Sequence, residues 1–354
     1  MEIQTEGISL QELQLAARNH AMPLEALRFP ITPVGLHYLL IHYDVPVVDP
    51  ATWRLRLGGL VERELSLGLD DLRTRPAADV TVTMECAGNG RAHLEPRPVS
   101  QPWLNEAVGT ARWRGTPLRP LLEEAGLREA AVEVVFTGLD RGVEHGIDQR
   151  YQRSLRLDEA LRDEVLLAYE MNGAPLPPQH GFPLRLVVPG WYGMTNVKWL
   201  DSIEVLDRPF AGYQQAWAYH LRQDEDEQGE PLQRMLPRSL IVPPGIPDFH
   251  TRERTLDAGE HVLEGRAWSG GAPVVRVEVS TDGGSSWAQA ELEPAEHRWA
   301  WRGWRLRWQA EPGRHLLCSR ARDEAGNEQP LEPAWNLGGY ANNAVQTVVV
   351  NVGA

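Results

Sequence analysis

A single cysteine at the end of an apolar strand constrains this chain more than any other feature of its sequence. Residues 80–84 read VTVTM, and this alternation predicts a strand whose apolar face also carries Cys86. The turn that follows, Ala-Gly-Asn-Gly, contains glycines that let the backbone approach a bound group closely. Arg91 adds a cation shortly after the thiol. A soft thiolate in this setting favours a metal ligand over a structural cysteine.

The cysteine count supports this interpretation. The chain has two cysteines in 354 residues, which is too few for a disulfide framework. Cys318 lies in the apolar run LLCSR and is predicted to be a buried core residue. A nucleophilic pair of Cys86 and His93 is the alternative for the first cysteine, but no residue at a readable spacing would orient the histidine.

The stretch TMECAGNGR at 83–91 resembles the molybdenum-ligand motif of the sulfite oxidase family, the molybdopterin enzymes that transfer an oxygen atom and two electrons. Further stretches resemble that family in the same order: LIHYDVPVVDPATWRLRLGGL at 40–60, GLD at 138–140, LLAYEMNGAPLPPQHGFPLRLVVPGWYGMTNVKWL at 166–200 and VVRVEVSTDGGSSW at 274–287. The resemblance implies a molybdopterin-dependent oxidoreductase in which Cys86 is the protein's ligand to molybdenum.

The order of predicted elements favours an α+β fold for the first two thirds of the chain. PLRPLLEEA at 117–125 predicts a helix that ends at Gly126. Strands are predicted at 132–137, 165–169 and 184–188. Helices and strands do not alternate regularly, which argues against a parallel βαβ sheet. The resemblance implies a mixed α/β molybdopterin-binding catalytic domain, which we assign to residues 1–235.

Composition shifts sharply at 222–247, where a run of charged, mostly acidic residues is followed by five prolines, and this predicts a domain boundary near 235–250. Beyond it, short strands predict an all-β sandwich of immunoglobulin-like type, at 261–268, 274–280, 286–292, 314–321 and 345–352. Four tryptophans are predicted to pack this sandwich: Trp299, Trp301, Trp304 and Trp308. The resemblance implies that residues 236–354 form a dimerisation domain and that the protein is a homodimer.

The N-terminal segment predicts a short helix, with Ser9 as its N-cap and Glu12 completing a capping box. The segment lacks a basic start followed by an apolar run, and it has no twin arginine. We therefore expect a cytoplasmic protein, or a periplasmic one if the chain is a trimmed mature form. No stretch approaches the length of a membrane span.

The formal net charge of −14 argues against nucleic acid as a partner, because the phosphate backbone attracts basic surfaces. The sequence contains no CxxCH haem motif and no cysteine set for an iron–sulfur cluster. Electrons are therefore expected to leave to an external carrier. The acidic surface suits a small basic cytochrome in that role, and the simpler alternative is that acidity keeps the protein soluble.

The resemblance implies a cofactor pocket built from residues spread over the chain. A phosphate and a polar pterin need cationic and amide-like donors. The positions that match the family's pocket are Tyr38, His42, Asp140, His180, Arg185, Asn196, Val197 and Lys198. Asp140 matches an aspartate that accepts from the pterin's amino groups. Asn196 stands where the family more usually has histidine.

On the substrate side, Tyr219 falls at the family's active-site tyrosine, with Tyr213 as the rival if the loop is registered differently. Arg91 matches one of the arginines that hold a dianionic substrate. Two others are missing, because Leu40 and Gly338 stand at their positions. The cofactor is therefore expected, whereas sulfite as substrate does not follow.

Three functions remain open from the sequence. The first is two-electron oxygen-atom transfer to a small oxyanion. The second keeps the cofactor but reverses the direction of electron transfer, so that an S-oxide, an N-oxide or nitrate is reduced. A neutral or monoanionic substrate of this kind would explain the missing arginines. The third is a cofactor-binding or electron-relay protein without turnover of its own.

Overall fold

The computed structural model describes residues 3–4 and 7–353, and it is a mixed α/β protein in which strands dominate. The described helices are α1 Leu10–Arg18, α2 Leu69–Arg73, α3 Leu118–Ala125 and α4 Leu157–Ala160, with 3₁₀ turns at Leu24–Arg28, Val34–Leu36, Arg91–His93, Pro178–His180 and Gly193–Thr195 and a π-helical turn at Gln214–Ala218. The mixed α/β class is confirmed. Among the described residues, no helix combines the length and apolar character needed to cross a membrane.

Helix α1 begins where the sequence predicts. Ser9 Oγ accepts a hydrogen bond from Glu12 N at 3.2 Å, and Ser9 N donates to Glu12 Oε2 at 2.7 Å. This reciprocal pair satisfies two of the free donors at the helix start. The carboxylate of Glu12 is fully buried and also accepts from Arg97 Nε at 2.8 Å. The cap therefore both starts the helix and docks it onto the segment that carries Arg97.

The strands of the first part are β1 Ile3–Gln4, β2 Leu55–Gly59, β3 Leu65–Leu67, β4 Ala78–Glu85, β5 Arg97–Pro98, β6 Val108–Pro117, β7 Glu133–Glu144, β8 Ile147–Arg156, β9 Leu166–Met171, β10 Ala174–Pro175, β11 Arg185–Val187, β12 Leu200–Leu206, β13 His220–Leu221 and β14 Glu230–Pro231. One sheet has the order β10-β9-β6-β4, with β11 also paired to β9, and another has the order β3-β2-β12-β7-β8. Both sheets contribute to one apolar core.

The strands of the second part are β15 Arg238–Ile241, β16 Ile246–Pro247, β17 Arg254–Asp257, β18 Gly259–Trp268, β19 Val274–Ser280, β20 Ala288–Gln289, β21 Glu291–Leu292, β22 Arg302–Ala310, β23 Gly313–Asp323 and β24 Gln346–Gly353. They form sheets of order β15-β18-β22-β21 and β16-β17-β24-β23-β19-β20 around a separate core. This part is all-β, as predicted. Strand β22 was not predicted, because arginines alternate with its buried tryptophans and break the apolar pattern.

The prediction that four tryptophans pack the second core is wrong for two of them. Trp304 and Trp308 lie in that core, but Trp299 and Trp301 lie in the segment before β22 and face the first part of the chain. Thr83 N donates to Trp299 O at 2.9 Å, and Trp301 N donates to Thr83 Oγ1 at 2.7 Å. The segment thus covers β4, an edge strand that would otherwise expose unpaired backbone groups.

A buried ion pair joins the two parts of the chain next to the predicted metal ligand. Arg238 on β15 and Glu85 at the end of β4 lie 2.8 Å apart, with 1% and 3% of their side chains exposed. Glu85 also accepts from Trp268 Nε1 at 2.9 Å and from Asn89 Nδ2 at 3.0 Å. Buried charges are tolerated when they are paired and hydrogen-bonded in this way. The pair fixes the strand end that carries Cys86.

We expect Arg238→Met to lower the free energy of unfolding by about 3–5 kcal/mol, because it leaves the Glu85 carboxylate buried without its counter-ion. Urea denaturation of the purified protein measures the loss. The matched control is Arg114→Met, whose pair with Asp79 is about half exposed; its loss should stay below about 1 kcal/mol. Equal losses for the two variants would contradict the assignment of Arg238 as an anchor.

Candidate active site

Cys86 opens onto a cavity at the end of β4. Nine of the residues predicted from the sequence line it: Tyr38, His42, Cys86, Asp140, His180, Arg185, Asn196, Lys198 and Tyr219. They come from six separate stretches of chain, so the fold brings together what the sequence spreads over about 180 residues.

Glycine makes the turn after Cys86 possible. Gly90 has φ +89°, in the left-handed region that side chains avoid. At Gly88 an added Cβ would lie 2.5 Å from Arg91 Nη1, so the guanidinium packs directly on the turn. Burial raises the pKa of the Cys86 thiol, and Arg91 opposes that shift. A thiolate here therefore needs a further positive charge, such as a metal ion.

Two predicted residues lie outside the cavity. Val197 is 1% exposed and packs in the core of the first part, while its backbone N bonds to Thr195 O and its backbone O to Leu186 N. Its side chain therefore has no route to a ligand. Arg91 lines a second space beside the cavity, described below. The rival Tyr213 lines neither space and lies against His145, with ring centroids 5.9 Å apart.

Arg185 is a buried cation aimed at the cavity. Its guanidinium stacks on Trp113 at 4.6 Å, and Nη1 donates to His180 O at 3.1 Å. Its Nε is buried and has no hydrogen-bond partner among the described residues. Burial lowers the pKa of Arg185 to about 10, and it forms no ion pair within the described chain. An anionic ligand would supply the missing negative charge.

Lys198 is the only lysine in the chain, and it lies at the same cavity. Its Nζ donates to Leu40 O at 2.8 Å and to Gln179 O at 3.3 Å. Burial lowers the pKa of Lys198 to about 7, with Arg185 adding to the shift. A phosphate placed here would restore the charged form.

Asp140 gives the cavity one acidic group. Its Oδ1 is buried without a hydrogen-bond partner in the described structure. Burial raises the pKa of Asp140 to about 6, and Lys198 opposes that shift. An amino-bearing heterocycle would satisfy this oxygen. The orphaned atoms of Asp140 and Arg185 therefore fit a ligand that has an anion at one end and amine donors at the other.

His42 and Tyr219 are hydrogen-bonded to each other at the mouth of the cavity. His42 Nε2 and Tyr219 Oη lie 2.6 Å apart. Burial lowers the pKa of His42 to about 3, so its ring is neutral, and the tautomer of that ring decides which of Nε2 and Oη is the donor. Burial raises the pKa of Tyr219 well above its usual value. The tyrosine hydroxyl is therefore neutral and held in one orientation.

Three residues of the site were missed by sequence reasoning. His37 Nε2 points into the cavity wall without a partner, and its ring lies 5.5 Å from that of His180. Tyr151 Oη donates to Met194 O at 2.6 Å behind His42. Arg153 is 1% exposed, and its guanidinium lies 5.4 Å over the Tyr219 ring. No local sequence pattern marks these three residues as part of the site. His37 directly precedes Tyr38, which was predicted, and this is the one hint that the sequence offers.

A second space also borders Cys86, and we call it the outer chamber. Four residues line both it and the cavity described above: Cys86, Leu40, His42 and Tyr219. The two spaces therefore meet at the thiol. No hydrogen bond links Cys86 with His93 in the described structure; the histidine Nε2 instead contacts Asn105 Nδ2 at 3.1 Å.

Comparisons with known proteins agree with this geometry. Residues 42–214 match the family described as "Oxidoreductase molybdopterin binding domain", and residues 233–353 match "Mo-co oxidoreductase dimerisation domain". Sulfite oxidase of Gallus gallus is 39% identical over 92% of this chain and 74% of its own length. The mitochondrial sulfite oxidase of Rattus norvegicus is 38% identical over 91% of this chain, which spans 62% of that relative.

Two further similar proteins are a nitrate reductase and a solved structure of a sulfane dehydrogenase. The nitrate reductase [NAD(P)H] of Hordeum vulgare is 35% identical over 91% of this chain and 39% of its own length. The sulfane dehydrogenase SoxCD from Paracoccus pantotrophus superposes with a TM-score of 0.82 at 28% identity, covering 100% of this chain and 90% of the other. The chain belongs to the sulfite oxidase family of molybdopterin-dependent oxidoreductases. The predicted family, enzyme class and molybdenum cofactor are thereby confirmed.

We expect Arg185→Ala and Lys198→Ala to lower the molybdopterin content of the purified protein severalfold, because each removes a buried cation that faces the cavity. Fluorescence of the oxidised pterin released from the protein measures occupancy without relying on turnover. Lys198→Arg, which keeps the charge, and Arg114→Ala, on the surface, are the controls. Wild-type pterin content in both alanine variants would show that these side chains do not hold the cofactor.

Proposed function

We propose that this protein catalyses molybdenum-dependent oxygen-atom transfer, coupled to a two-electron oxidation of a small sulfur oxyanion. One observation carries the proposal: the Cys86 thiol lines both the cavity that holds the predicted pocket residues and the outer chamber. Cys86 would hold the metal of the cofactor, and residues of both spaces would surround it. The family membership supplies the class of chemistry.

Arg185, Lys198 and His180 would hold the anionic part of the cofactor, and Asp140 would accept from the pterin. Tyr38 and Asn196 would complete the wall, with Asn196 acting by shape because its side chain already bonds to Val188 N and Tyr192 O. The bound cofactor supplies a metal centre that exchanges an oxygen atom and two electrons. The chain's own contribution is to orient, shield and neutralise charge.

On the substrate side, Tyr219 would donate a hydrogen bond to a bound oxygen, because its hydroxyl is neutral and held by His42. Arg91 would provide a charge-assisted contact. Leu40 and Gly338 stand where the family has arginines, so we propose that sulfite itself is a poor substrate. The resemblance to a nitrate reductase supports a second candidate, reduction of nitrate or of an S- or N-oxide.

We propose that electrons leave to a separate basic carrier. The supporting observation is the acidic segment 224–227, which is exposed along its length. We further propose a boundary near residue 235 between a catalytic domain and an immunoglobulin-like sandwich, because sheets on either side of it enclose separate cores.

We expect Cys86→Ser to keep the fold but to lose both the thiolate-to-metal charge-transfer absorption of the oxidised protein and its turnover, because a hydroxyl is a poor ligand for this metal. Visible absorption spectra at equal molybdenum content measure the first loss. Cys318→Ser is the control, because this second cysteine is buried beside Thr347 on β23 and lines neither space. An unchanged spectrum in Cys86→Ser would remove Cys86 from the metal.

The match of residues 233–353 to a dimerisation domain supports a homodimer in solution. Light scattering at working concentration should give a mass near twice the 39.7 kDa of one chain. Dilution over two orders of magnitude serves as the control for weak association. A mass equal to one chain throughout would reject the dimer.

A further inference from the structure

The outer chamber differs in charge and polarity from a site built for a dianion. Its lining residues include Leu40, Trp103, Tyr219 and Tyr340, and its cations are Arg18 and Arg91. Trp103 is buried, and the rings of Tyr219 and Tyr340 lie 5.3 Å apart. Leu40 and three aromatic side chains therefore give the chamber an apolar portion of its wall.

Tyr340 occupies the space that an arginine at position 338 would need. A Cβ added to Gly338 would lie 2.3 Å from the Tyr340 ring, well inside contact distance. The same ring stacks on the Arg91 guanidinium at 5.1 Å, and Arg91 Nε donates to Gly338 O at 3.0 Å. Tyr340 and Gly338 therefore act together: the Tyr340 ring fills the space that an arginine at position 338 would need, and both residues hold Arg91 in place.

Arg18 supplies a second cation, from an element that sequence reasoning did not connect with the site. It ends helix α1, and the next residue, Asn19, is 7% exposed. Asn19 Nδ2 donates to Gln101 Oε1 at 3.0 Å, and Asn19 Oδ1 accepts from Ile41 N at 2.7 Å. Gln101 O in turn accepts from Arg91 Nη1 at 3.0 Å. The helix end is thereby tied to the segments that carry His42 and Arg91.

The Arg18 guanidinium has no ion pair or hydrogen bond within the described chain, and it is close enough to His42 to lower the pKa of that residue. The chamber's only lining carboxylate among the described residues is Glu144, which accepts from Tyr43 Oη at 3.0 Å and Gln214 Nε2 at 2.8 Å. Two arginines and one carboxylate leave a net charge of one positive unit. Such a chamber matches a monoanion better than a dianion.

We propose that the outer chamber binds an organic sulfinate, a monoanionic sulfur oxyanion with an apolar substituent, and that Arg18 positions its charge. This proposal rests on the proposed function. The reaction is R–SO₂⁻ + H₂O → R–SO₃⁻ + 2H⁺ + 2e⁻. One S–O bond forms, sulfur loses two electrons, water supplies the oxygen, and two equivalents of a one-electron acceptor such as ferricyanide are reduced. The apolar substituent packs against Leu40 and Tyr340.

The test compares benzenesulfinate with sulfite on molybdenum-loaded protein, with ferricyanide as acceptor. We expect a KM for benzenesulfinate at least about tenfold below that for sulfite. Arg18→Gln should raise the KM for benzenesulfinate about tenfold with little change in kcat, because a ground-state contact is lost. The control Arg208→Gln changes the net charge equally at an exposed residue outside the chamber. Leu40→Arg should reverse the preference towards sulfite.

A lower KM for sulfite than for benzenesulfinate would overturn the substrate class, and equal effects of Arg18→Gln and Arg208→Gln would overturn the role of Arg18. Turnover of none of these compounds would count against the proposed function instead. Calorimetry then measures the affinity of the holoprotein for two anions, benzenesulfonate and sulfate, without turnover. Tighter binding of benzenesulfonate supports the monoanion preference of the chamber, and tighter binding of sulfate overturns it.

Discussion

The site depends on one buried ion pair, between Glu85 and Arg238. Glu85 immediately precedes Cys86, and its carboxylate is held by donors from both parts of the chain. Arg238 also donates to Asn105 Oδ1 and to Asn342 O, which fixes the segments on either side of the thiol. Two buried charges need several such partners, and Arg238 Nε is the atom of the pair that has none in the described structure. The second part of the chain therefore helps to build the active site, in addition to any role between subunits.

The interior of the first part accumulates positive charge, although the whole chain carries −14. Arg153, Arg185 and Lys198 are buried without an ion pair in the described structure, and burial lowers the pKa of each. This arrangement is unfavourable unless an anion completes it. A cofactor that carries phosphate would relieve the cost, so binding of the cofactor and stability of the fold are thermodynamically linked.

Local patterns predicted the elements that carry Cys86, the predicted metal ligand, and non-local packing decided the rest. The strand before Cys86, the cap at Ser9 and the helix ending at Gly126 follow from spacing alone, and the family resemblance supplied the pocket residues. Arg153 could not be found this way, because only the pairing of β7 with β8 brings it under Tyr219. Trp299 and Trp301 were misassigned for the same reason, because their segment hydrogen-bonds to the edge of β4, which is distant in the sequence.

The single lysine has a consequence for covalent chemistry. Reagents that acylate amines have one side-chain target in this protein, and Lys198 Nζ lies inside the cavity bonded to Leu40 O. In an empty pocket, the pKa of about 7 leaves part of that amine deprotonated near neutral pH and hence nucleophilic, whereas a bound phosphate would raise this pKa and cover the amine. Apart from the chain's terminal amine, acylation is thus a direct chemical readout of whether the cofactor is in place.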